Sequence, residues 1–177
     1  MPTPSEPTEN PACWIRSTVD DRGNAACLLQ WGPVQALLHP DTVLVTARDL
    51  TTAAAYAETD VALLAALRED IGLNGDHALA HFFQTIRARR PVPTGQPALR
   101  IHSVAGARTG RPLVHIARGS MKGELTPDEA REMAQHWTEA ATAAQIDVRL
   151  RYALGEWDRL TPDEIEHLFA LLQKVQR

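Results

Sequence analysis

The stretch LTPDE at residues 125–129 recurs at 160–164, and looser versions, LHPD and LNGD, stand at 38 and 73. The repetition runs well beyond these helix starts. Residues 99–177 align on 12–90 without a gap, so that position 125 falls on 38, 87 residues earlier. LHPDTVLVTARDLTTAAAYAETDVALLAAL then lies on LTPDEAREMAQHWTEAATAAQIDVRLRYAL, and Gly23 meets Gly110, Gly32 meets Gly119, Asp76 meets Asp163 and Phe82 meets Phe169. A duplicated unit of this size rarely buries its apolar face alone, so two copies are expected to share one core about a pseudo-twofold axis.

The boundaries follow from composition. Residues 1–11, MPTPSEPTENP, hold four of the chain's twelve prolines and little apolar surface to offset the entropy of ordering, which marks a disordered tail. The copies are 12–90 and 99–177. The connector PVPTGQPA, 91–98, carries prolines and a glycine unsuited to an element interior.

Each copy has the same coarse pattern. CWIRSTV and AACLLQW flank the turn DDRGN, and LRIHSVA and PLVHIAR flank GARTGR, which predicts two hairpins; VQALL and MKGEL supply a third strand to each. Helices follow. Thr126 with Glu129 and Thr161 with Glu164 have capping-box spacing, with Pro127 and Pro162 preset for a first helical residue. His39 and Asn74 are the cap candidates of the first copy. Ala130, Met133, Ala134, Trp137, Ala141, Ala144 and Val148 form one buried helical stripe. Residues 146–152 alternate as a strand would, but the aligned DVALLAAL is a better helix, so the helix is expected to continue. The fold class is therefore α+β, a βββαα unit used twice.

With 44% hydrophobic residues the chain can bury a real core. It has no run of roughly 18 apolar residues and no basic-then-apolar leader, so a cytoplasmic protein without membrane contact is expected. Cys13 and Cys27, on neighbouring strands, are expected as small buried hydrophobes rather than a disulfide.

The net charge of −4 is unevenly laid out. No acidic residue lies between Asp76 and Glu124, an interval holding Arg87, Arg89, Arg90, Arg100, Arg108, Arg111, Arg118 and Lys122. With His102 and His115 these residues form the candidate surface for a partner or a nucleic acid. A two-stranded ribbon can enter a DNA major groove, its arginines meeting phosphates. The plain alternative is a solvated hairpin that balances the acidic helices of the other copy.

Chemistry-bearing patterns are sparse. His77 and His81 have one-face helical spacing that can chelate zinc, but no third ligand lies near and no Glu completes an H-E-x-x-H pattern. The carboxylates crowd at helix starts, where they already serve as caps. No phosphate loop, dinucleotide turn or nucleophile elbow occurs. No catalytic residue, cofactor or metal is assigned.

LTPDEAREMAQHW with its preceding short strand resembles a pattern found in small uncharacterised actinobacterial proteins, often encoded near mobile elements. The resemblance covers the strand and first helix of the second copy and implies no activity and no site residue. The expectation is a non-enzymatic interaction or regulatory protein whose partner is another protein. Nucleic-acid recognition through 87–122 is the alternative. A small-molecule binder or enzyme is the third class, and it requires polar residues converging between the copies.

Overall fold

The computed structural model describes residues 12–91, 94–106, 110–155 and 160–175. Its order is β1 (Cys13–Val19), β2 (Ala25–Trp31), β3 (Val34–Leu38), α1 (Pro40–Glu69), α2 (Asp76–Arg89), β4 (Arg100–Ala105), β5 (Pro112–Arg118), β6 (Met121–Leu125), α3 (Pro127–Gly155) and α4 (Pro162–Val175). The fold is α+β, with βββαα occurring twice and each triplet of strands forming an antiparallel sheet in sequence order. The tail and Arg108 lie outside the described residues.

Local chemistry explains the helix starts. The Thr126 hydroxyl accepts from the Glu129 N–H at 3.3 Å while the Glu129 carboxylate accepts from the Thr126 N–H at 2.7 Å, and Thr161 with Glu164 repeats the exchange. These bonds, led by those from the backbone N–H groups, hold the carboxyls of Glu129 and Glu164 below their ordinary values. His39 caps α1 by accepting from the Asp41 N–H at 3.2 Å. Asn74 does not cap α2: the N-cap is Gly75, with no side-chain bond, and the Asn74 amide donates back to the Gly72 carbonyl. The stretch 146–152 is helical within α3, since strand alternation there would need a sheet neighbour that the topology does not provide.

The two copies exchange helices. α1 packs along α3 and lies on β4 and β5, the second copy's sheet, whereas α3 lies on β1 and β2. One apolar cluster therefore draws on both halves: Leu29, Trp31, Val43, Leu50 and Ala54 join Val114, Ile116, Ala134, Trp137 and Ala141. The alanines on both helices allow close approach of the two backbones. α1 is long and apolar enough to cross a membrane by length and composition, yet here it is the central core helix. A smaller cluster of Leu64, Leu79 and Phe83 seats α2 on the end of α1.

The gapless correspondence holds in the middle of each copy and fails at both ends. β2 and β5 begin at 25 and 112, and β3 and β6 at 34 and 121, 87 residues apart in both cases. In the first hairpin, however, Cys13 pairs with Trp31, whereas Arg100 pairs with Ala117 rather than with Arg118. The structural equivalent of Arg100 is thus Trp14, and Ile15 matches Ile101 and Ser17 matches Ser103. The second hairpin connection is one residue longer. A one-residue slip inverts every side chain of a strand; a gapless match would put Arg100 and His102 where Cys13 and Ile15 pack against the core. The last helices differ likewise. Buried Leu79 and Phe83 match buried Ile165 and Phe169, so Phe83 takes the place that the gapless alignment gives to Phe82.

Candidate functional site

The second sheet turns one face to α1 and the other to solvent. Ile101, Val114, Ile116 and Leu125 face inward. Outward, two cross-strand rows lie side by side, Arg100–Ala117–Lys122 and His102–His115–Glu124. Arg100, His102, His115, Lys122 and Glu124 are exposed, and His115 Nε2 lies 2.9 Å from Glu124 Oε2. Strand alternation together with this register brings Arg100, His102, His115 and Lys122 to one surface. Arg111 is exposed just ahead of β5, and Arg89 is exposed in the last turn of α2.

Three of the other basic residues are engaged within the protein. Arg90 is mostly buried; it pairs with Asp60, donates to Ser103 Oγ at 3.0 Å, and its guanidinium stacks 4.0 Å from the centre of the Tyr56 ring. Arg87 reaches the other oxygen of Asp60 at 3.3 Å. Asp60 is fully buried, so two arginines compensate one carboxylate and bolt α2 and β4 onto α1. Arg118 donates to the Ala98 carbonyl. The sequence marked this device faintly, as the one acid in the apolar run of α1 between Tyr56 and Leu67 that both copies keep as an Asp-Val pair, apart from the exposed Glu58.

Beside this network lies a cleft of about 990 Å³ between the copies. Its first wall is the stripe Asp49, Thr52, Ala53 and Tyr56 of α1; its second is β4, with Arg100 to Val104 all contributing. The connector closes one end. Thr46 accepts from the Ala98 N–H at 2.7 Å and Arg48 donates to the Thr94 carbonyl at 2.7 Å. Gly95, at φ 104, lies so close to Val45 that a Cβ would sit 3.0 Å from it. Burial pushes the Asp49 carboxyl up, an effect only partly offset by Arg48 at 3.5 Å.

No family model, curated protein or solved structure matches the chain.

Other candidates stand apart from this region. His77 and His81 are exposed on α2, and no group of three or more His, Cys, Asp or Glu among the described residues is placed to hold a metal. Cys13 and Cys27 are free and on adjacent strands, but Cys13 is opposite Trp31 and Cys27 opposite Ser17, so the thiols do not face each other. Burial pushes Cys13 up to about 12 and Cys27 to about 11, away from the thiolate form that a reactive cysteine needs.

Proposed function

We propose that this chain is a non-enzymatic cytoplasmic interaction protein that docks an acidic surface of another protein on the outer face of β4–β5–β6. One observation carries the reading: Arg100, His102 and Lys122 stand exposed on a single sheet face around one carboxylate, Glu124, which His115 engages. Rim charges of this kind steer a partner of opposite sign and fix its register more than they add affinity.

A protein partner fits better than nucleic acid. Each neutralised phosphate contributes to affinity through counterion release, so a duplex binder needs many outward cations. Here Arg90 and Arg118 are directed to Asp60 and Ala98, Glu124 sits within the face, and the whole chain carries −4. The third class, a small-molecule site between the copies, has the converging polar groups it requires, but Arg87 and Arg90 are engaged with Asp60. Those side chains support structure before they support a ligand.

The test compares the full chain with a double variant, Arg100→Glu and Lys122→Glu, in quantitative capture of host proteins, alongside anisotropy with short DNA and RNA at about 50 and 200 mM salt. Acidic proteins retained by the wild type and lost by the equally stable variant are the expected result. Equal retention by both would sink the reading. Salt-sensitive binding of DNA or RNA that the variant loses would move the protein to nucleic-acid recognition.

A further inference from the structure

We infer that the free edge of β4 accepts an extended acidic peptide, which joins the second sheet as a fourth strand along the cleft. The inference rests on the reading of an acidic protein partner and specifies the segment that would be gripped.

β4 bonds only to β5, and among the described residues no other backbone hydrogen bond reaches Arg100–Ala105. Successive side chains of a strand point to opposite faces, so a cavity touched by five consecutive residues, 100 to 104, runs along the strand's edge and not over one face. Open edges are pairing templates that proteins commonly blunt with proline, bulges, charged side chains or covering segments, and the charges at this edge, Arg100 and the Arg90 that donates to Ser103 Oγ, are of one sign. β4 contains no proline and pairs with β5 in unbroken register. Its flank is an open cleft floored by one stripe of α1.

Charge then selects the occupant. Arg87 and Arg90 line the cleft but are held by Asp60, so the charge open to an occupant is that of Arg100 and Arg118, with Asp49 as the carboxylate in the wall. Arg100 and Arg118 have no carboxylate within ion-pair distance among the described residues. The corresponding first-copy edge, β1, borders a smaller cavity lined by Glu129, Glu132 and His136. The two edges are thus of opposite character, and an acidic strand is directed to β4 and away from β1. Main-chain bonds would supply affinity in such an addition, and alternate side chains would supply specificity.

The probe is a fluorescein-labelled peptide of alternating glutamate and valine, about eight residues long, enough for one strand. It is titrated against the full chain together with a lysine–valine counterpart and an analogue N-methylated at every second amide. Binding of the acidic peptide is expected, weakened about tenfold or more by Arg100→Glu and by N-methylation, with no binding of the lysine peptide. Amide exchange should slow along 100–105 when the peptide is bound. Equal binding of the methylated analogue, still sensitive to Arg100→Glu, overturns strand addition while leaving an acidic partner on the outer face. No binding of the acidic peptide overturns the inference, and the capture experiment judges the docking reading separately. Tighter binding of DNA or RNA at the cleft, or a rise in mass with concentration that Arg100→Glu abolishes, assigns the edge to nucleic acid or to a second copy and overturns it as well.

Discussion

The two sheets have the same inner face and opposite outer faces. Ile15 and Ile101, Leu29 and Ile116, Cys27 and Val114, and Leu38 and Leu125 occupy matching inward positions. Outward, Trp14 stands where the second sheet has Arg100, Leu28 where it has His115, and Leu37 where it has Glu124. Trp14 and Leu37 are about half exposed, and Arg16 lies 6.0 Å from the Trp14 ring centre. The difference teaches where divergence is permitted. Inward positions answer to a core built jointly by both copies, whereas outward positions answer only to solvent and partners. One inward position that differs is Trp31, buried in the first copy, whose counterpart Arg118 donates to the connector and lines the cleft.

The largest test of that contrast is to cut the chain. Residues 1–90 and 91–177 made separately should each lack cooperative unfolding by circular dichroism, because α1 and α3 each lie on the other half's sheet, and mixing should restore it. A first half that folds alone would break the shared-core account. Next, Trp137→Ala should cost about 3–5 kcal/mol in urea denaturation, since that ring is almost wholly buried. Trp14→Ala on the outer face should cost under about 1 kcal/mol. Similar losses at the two positions would mean that the outer face is also packed.

A finer test lies at Gly123, where the first copy has Ala36. A Cβ there would sit 3.2 Å from Ile116 and 3.2 Å from Trp31, which reaches across from the other sheet. Gly123→Ala should destabilise by about 1–3 kcal/mol through overpacking; a neutral result in thermal melts would show that the inner faces tolerate more than their matching implies.

The smallest effect concerns pH. Burial raises the Asp49 carboxyl, so its folded pKa exceeds the unfolded one, and ionisation works against folding. The contribution of the protonated acid is fully present below the ordinary carboxylate range and is lost as pH rises through the raised value. Asp49→Asn should therefore gain stability relative to wild type as pH is raised from acid to neutral. A difference that is flat with pH would show that Asp49 is not penalised.

Much of the architecture was legible because its causes are local or periodic. Capping boxes at Thr126 and Thr161, the alanine stripe of α3 and the turn-bounded strands each depend on residues a few positions apart. Arg100, His102, His115 and Lys122 were legible as part of the basic interval; the register of β4 on β5 and of β5 on β6 decided that they share one face. The partners of Arg90 and Arg118, Asp60 and the Ala98 carbonyl, were not legible because they lie 30 and 20 positions away in sequence. Asn74 was misjudged because a cap depends on where the backbone turns, and the chain turns one residue later at Gly75.

By itself the sequence determined the duplicated βββαα order, the helix starts and the uneven charge, since periodicity, capping chemistry and composition act along the chain. Only the tertiary structure decided that the long helices exchange sheets, that β4 is shifted by one residue against the repeat, and that a cleft opens beside its edge. Those outcomes come from burying two apolar faces in one core, where packing against residues far away in sequence sets the register and the direction each arginine takes.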